Sequence, residues 1–340
     1  MLVESVATFL GISILFYAVF AGADFGAGIL ELMLGREHRK DQRHVIDGAM
    51  GPVWEANHVW LILAVVILFN GFPRAYAQIS TTFHIPLPIM LIGIILRGCA
   101  FTFRHYDAVR DRSQLYYLNV FRVASLITPF MLGVIAAGLA TPARASVTFY
   151  DAYVARWCTP FAAALGLFTC TLFAFLAAVY LIGEPQEESS RAVFRTRARA
   201  LNAVAVAVGA LVFPCAAWSG VPLFSQFIEH PLALAGMALA TLVQLPLWWS
   251  VATERWQMAR VLAAAQVSFV LAGWFRLQFP VLLVGGPGAG DITVYNTAAA
   301  APVLRVLLFA LVGGCLLIFP ALYFLLRVFK REAHAQPPSA

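Results

Sequence analysis

Runs of about 20 mainly apolar residues recur from one end of this 340-residue sequence to the other. Each is as long as a helix must be to cross the hydrocarbon core of a bilayer, and the bilayer admits only chains whose backbone bonds are closed internally. Hydrophobic residues make up 61% and charged residues 12% of the chain. Soluble domains hold roughly 45–50% apolar residues, so a water-soluble enzyme is excluded. The pattern predicts an all-α, polytopic membrane protein of about nine transmembrane helices, with residues 1–340 forming a single integral membrane domain. The helices are expected near residues 6–34, 50–70, 79–103, 117–140, 157–182, 200–219, 231–252, 257–279 and 302–329.

Lys and Arg test that count, because positive residues stay on the cytoplasmic side of a membrane. Alternate connections hold 16 of them, including Arg43, Arg104, Arg197, Arg260 and Arg327, whereas the opposite set holds only Arg74, Arg144 and Arg156. The N-terminus is therefore expected outside and the C-terminus in the cytoplasm. The net charge of +6 follows this scatter and orients the chain in lipid, so no nucleic-acid partner is implied. Residues Met1 to Glu4 lack the positive start of a secretory signal, so the first helix is read as retained. Cys99, Cys170, Cys215 and Cys315 lie inside apolar runs without a C-x-x-C pair, which argues against disulfides or a cysteine metal site. Pro129, Pro214, Pro246 and Pro320 fall within helices and predict kinks. Gly285 to Gly290 reads as a flexible outer loop, and Glu184 to Ser190 as a solvated inner loop.

Chemistry concentrates in the first third. The first helix contains GADFGAG, Gly22 to Gly28, which sets Asp24 among small residues in its cytoplasmic half. An acid at that depth marks an ion or proton route by default, or else serves as a structural partner for a neighbouring helix. Gly22 and Gly26, one turn apart, let a second backbone approach and shield it. GPVWEANHVWLI, Gly51 to Ile62, opens the second helix, with Glu55 and His58 three apart on one face. Burial lets such an acid take and release protons near neutrality, so Asp24, Glu55 and His58 are candidates for a cytoplasmic proton path; a helix-end carboxylate also serves as a cap. RGCAFTFR places Arg97 about two turns inside the third helix. Arg97 cannot deprotonate and needs a partner: Asp24, Glu55 or an anionic group of another subunit. Arg104 is expected to snorkel to the interface, and Trp54 and Trp60 read as interfacial belt residues.

Axial histidines would make this a haem protein. Among seven histidines only His58 and His84 lie near membrane depth, and the predicted topology puts them in opposite leaflets.

GADFGAG, GPVWEANHVWLI, GFPRAYA (Gly71 to Ala77) and RGCAFTFR occur in that order. Together they resemble subunit II of the cytochrome bd family of quinol oxidases, including its cyanide-insensitive branch. The resemblance implies two four-helix bundles plus one peripheral helix, paired with a haem-bearing subunit I that holds two b-type haems, haem d and the quinol-oxidising loop. This chain would bind no cofactor or metal and hold no catalytic residue. It would sit in lipid in the bacterial inner membrane, with or without a small single-helix subunit. By motif position Asp24 matches the family's first-helix acid, and Glu55 stands where many members have Asp. His58 replaces a residue that is commonly Gln or Glu. Trp60 matches a tryptophan near the proposed oxygen entrance, and Trp54, Asn57, Arg97 and Arg104 are read as structural or partner-facing. The alternative of another class is a proton-coupled secondary transporter using Asp24. Transporters often carry inverted repeats and unwound helices, and neither is visible here.

Overall fold

The structure, a computed structural model, describes residues 1–33, 43, 45, 46, 48, 57–106, 113–143, 148–185, 187–286, 288 and 290–335. Apolar runs become helices because in lipid only a helix satisfies its own backbone. In chain order they are α1 (Leu2–Leu32), α2 (Val59–Gly71), α3 (Pro73–Thr82), α4 (Pro86–Tyr106), α5 (Ser113–Ala140), α6 (Phe149–Tyr153), α7 (Pro160–Leu181), α8 (Glu188–Trp218), α9 (Leu223–Glu229), α10 (Pro231–Leu242), α11 (Gln244–Ala252), α12 (Trp256–Gln278) and α13 (Ala301–Ala335). Among the described residues eight spans are long and apolar enough to cross a membrane, and a ninth is counted if α2 and α3 form one.

Several boundaries differ from expectation, each for a local reason. The expected third helix begins at Pro86 instead of near residue 79, because residues 73–82 belong to α3. α3 turns from α2 by 118° at Phe72, and Pro73 starts it without needing a backbone donor. α8 starts at Glu188, ahead of the expected 200, and so takes in Arg191, Arg195 and Arg197. Pro246 lacks the N–H that would bond Leu242, and the helix divides there into α10 and α11. By contrast α5, α8 and α13 run continuously through Pro129, Pro214 and Pro320.

The outer connection expected as a flexible loop is flanked by pairing. Strands β1 (Val281–Leu283) and β2 (Ile292–Thr293) pair antiparallel on either side of Gly285 to Gly290, and Gly285 N–H donates to Asp291 Oδ1 at 2.6 Å. Arg156 ties this hairpin to α5, donating to the carbonyls of Gly138, at 3.0 Å, and Val284. Burial pulls its guanidinium down to about 10, so it stays charged at neutral pH.

α7 is the centre of the molecule. It packs against α1, α5, α8 and α12, and Phe175, Leu176, Ala177 and Ala178 are fully buried. α1 also packs against α5 and α12, and α4 lies on α5. α13 touches α1 and α2 and is mostly exposed, the place of a peripheral helix.

Candidate functional site

Every residue from Ala21 to Glu31 in α1 is buried, which fits a stretch of small residues clamped between two neighbours. A Cβ on Gly26 would lie 1.9 Å from the Phe173 carbonyl oxygen, so the α7 backbone rests directly on α1. On the other side a Cβ on Gly28 would lie 2.1 Å from Ser125 Oγ of α5. Only glycine admits both contacts. They close lipid out from the face that carries Asp24.

Asp24 meets Arg97 there. Arg97 Nη2 donates to Asp24 Oδ1 at 2.6 Å and to the Asp24 carbonyl at 3.1 Å, and its Nε donates to Ser125 Oγ at 3.1 Å. The guanidinium carbon sits 4.9 Å from the ring centres of both Phe25 and Phe121, a doubly stacked cation. Both side chains are 2% exposed or less. Among the described residues, Asp24 is the acid that Arg97 meets; Glu55 lies outside them.

A second rung repeats the first. Glu31 is fully buried and accepts from Arg43 Nε at 2.8 Å and from Arg104 Nη1 at 3.4 Å. Asp24 and Glu31 are seven residues apart on α1, as Arg97 and Arg104 are on α4. Two turns bring both members of each pair to one face, about 10 Å apart along the axis, and the shared offset means that α1 and α4 run in the same direction. Arg104 turns inward to Glu31 instead of snorkelling: its side chain is 9% exposed. Glu31 escaped the sequence reading because it borders a polar connection. The signal that finds it is the shared spacing of seven.

The other candidates divide. Asn57 is buried at the start of α2, next to His58. Trp60 is 3% exposed, with its ring centre 4.6 Å from Phe16 and 6.0 Å from Phe319. It fills the seam between α1 and α13 and does not stand in an interfacial belt. Trp54 and Glu55 lie outside the described residues. His58 lines a groove with Ile94, Ile95, Gly98, Cys99, Thr102 and Phe103. His84 precedes α4, bonds the Thr81 carbonyl and abuts Tyr153. Helix α4 separates the two by about 20 Å of rise, too far to share one haem. Among the described residues no group of three or more His, Cys, Asp or Glu is placed to hold a metal ion.

The family model described as cytochrome bd terminal oxidase subunit II matches residues 2–329. The chain is similar to cytochrome bd ubiquinol oxidase subunit 2 of Bacillus subtilis, 27% identical over 344 residues that cover 97% of each. It is also 28% identical to cytochrome bd-I ubiquinol oxidase subunit 2 of Escherichia coli over 124 residues, 36% of this chain and 32% of that relative. Its fold is similar to a chain of the solved bd oxidase from Geobacillus thermodenitrificans, with a TM-score of 0.74 at 20% identity, covering 96% of this chain and 98% of that one. With a match across nearly its whole length, this chain belongs to the cytochrome bd terminal oxidase subunit II family, as a membrane-spanning subunit of a respiratory quinol oxidase complex whose composition implies a partner subunit I.

Proposed function

We propose that this chain is the haem-free, non-catalytic subunit II of an electrogenic quinol:oxygen oxidoreductase in the bacterial inner membrane, with its N-terminus outside and C-terminus in the cytoplasm. It supports a subunit I that carries two b-type haems and haem d, and admits cytoplasmic protons through Asp24, Glu55 and His58. Quinol oxidation releases protons outside and oxygen reduction consumes them from inside, so an inner-leaflet proton path charges the membrane.

One observation carries the reading. Asp24 is 1% exposed, has one oxygen held by Arg97, and keeps the other, Oδ2, without a hydrogen-bond partner among the described residues. A structural ion pair would be expected to satisfy both oxygens, since an unmet buried acceptor costs about 1–3 kcal/mol. An acid that receives protons needs a free one. Two buried acids two turns apart, Glu31 and Asp24, supply an inward progression from the helix end, and each is held by an arginine against drifting towards lipid. Trp60, sealed between Phe16 and Phe319, stands as the residue for oxygen access.

The test is oxygen consumption by the assembled complex carrying Asp24→Asn or Glu55→Gln. Turnover is expected to fall by at least about tenfold, in the range of a lost proton-transfer group, with the haem d spectrum retained. Unchanged turnover in both variants sinks the proton path and leaves subunit membership standing.

A further inference from the structure

Two more orphaned polar atoms accompany Asp24 Oδ2. Tyr17 Oη and His58 Nδ1 are also buried and without a hydrogen-bond partner among the described residues. The three belong together. Tyr17 lies seven residues before Asp24 and so continues the face of α1 that carries Asp24 and Glu31. The His58 ring centre is 6.2 Å from that of Tyr17 and 6.1 Å from that of Phe25, the residue beside Asp24. The Asp24 and Arg97 charges act on both rings. Tyr17 is 3% and Asp24 1% exposed, so neither polar group reaches bulk water.

Buried polar groups left unmatched by protein are matched by ordered water, which settles where two to four of them converge. We propose that Tyr17, Asp24 and His58 form an internal water-binding site, and that the water it holds carries protons from the Asp24 carboxyl to the His58 imidazole. The transport half rests on the proton-uptake reading above; the binding half does not.

The transfer balances without electrons. Asp24, protonated at Oδ2, gives its proton to water, and that water passes one of its own to His58 Nδ1. The ring, then protonated on both nitrogens, releases the Nε2 proton on the side of the groove it lines, and oxygen reduction in the complex is the sink. The ring ends neutral, as the other tautomer. Tyr17 neither gives nor takes a proton; its hydroxyl orients the water, which makes it a positioning residue.

Two measurements on the assembled complex test this. A cryo-EM map resolving ordered solvent should show water density within hydrogen-bond distance of at least two of the three atoms. A dry site there overturns the proposal. Tyr17→Phe, which keeps the ring and removes the hydroxyl, should slow turnover about three- to tenfold and raise the solvent deuterium isotope effect, with KM for quinol and the haem d spectrum unchanged; His58→Phe should slow turnover further. If Asp24→Asn slows turnover while Tyr17→Phe and His58→Phe alter neither rate nor isotope effect, the water relay is wrong and the uptake reading survives. If Asp24→Asn also has no effect, the uptake reading and the transport half fall together, and the map alone decides the binding half.

Discussion

The two halves of the helix bundle bury polarity in different ways. In the first half, α1, α4 and α5 enclose full charges: Asp24, Glu31 and Arg97 are each 1% exposed or less. In the second half, the buried polar residues of α8, α11 and α12 are neutral: Ser190, Asn202, Ser250 and Gln266. The ion pairs found there among the described residues lie near solvent: Arg260 with Glu184, 20% and 42% exposed, and Arg191 and Arg195 with Glu188, which is 59% exposed. Apolar packing around Phe175 and Leu176 joins α7, α8, α11 and α12 to one another and to α1. Apolar side chains of similar volume often match a buried ion pair in stability, so stability alone does not explain the charges of the first half. A charge kept where stability alone does not explain it supports the proposed proton path in the first half.

The largest expected effect breaks this contrast at its centre. Arg97→Met leaves Asp24 charged in a buried site without its counter-ion and is expected to cost roughly 3–5 kcal/mol, the range for an orphaned buried ion. Yield of the assembled complex, read from haem d absorbance, should collapse. Adding Asp24→Asn to Arg97→Met should restore much of it, because the uncompensated charge is gone. A double variant as poor as the single one means that packing of the arginine stem, not charge, holds the first half.

A smaller effect sharpens the comparison through glycine. Gly26→Ala puts a methyl group 1.9 Å from the Phe173 carbonyl, and helix backbones must separate to admit it. Overpacking of this kind costs about 1–3 kcal/mol. The control is Gly313→Ala in α13, where a Cβ meets nothing within 4 Å. There alanine's better helix propensity gives no loss, or a gain of up to about 1 kcal/mol. Thermal loss of the haem d signal in the purified complex measures both. Equal melting shifts would show that the α1–α7 contact is not rigid.

Much of this was legible in the residues alone, and the misses have physical causes. Hydropathy located the spans because the bilayer fixes their length, and GADFGAG exposed Asp24 because an acid among glycines has no apolar explanation. The need to pair a buried guanidinium named Asp24 among three candidate partners for Arg97, and the structure brings the two together. Glu31 stayed hidden at a span's border, where acids are ordinary, and only its pairing with Arg104 reveals that the border is buried. Nothing in the sequence singles out Tyr17, because burial of an unmatched hydroxyl is a three-dimensional fact. The end of α3, residues 79–82, was read into the next span, since a 10-residue helix and the end of a crossing helix share one composition. Trp60 was assigned to a belt because composition does not record which side of a helix meets α13.

The smallest expected effect lies in the second half. Arg260 Nη2 donates to Glu184 Oε1 at 2.5 Å, and its Nε donates to the Tyr180 carbonyl at 3.0 Å. Glu184→Gln removes the charge but leaves that carbonyl bond and an amide oxygen within reach. With Glu184 42% exposed, water screens the pair, and such pairs contribute about 0.2–1 kcal/mol. The melting shift should stay within that range and shrink as salt rises, since exposed charges are screened beyond about 10 Å at 0.1 M ionic strength. The Asp24–Arg97 pair, closed from solvent, should show no such salt dependence. If Glu184→Gln instead destabilises the complex as much as Arg97→Met does, then charge holds both halves alike, and burial ceases to distinguish a working pair from a structural one.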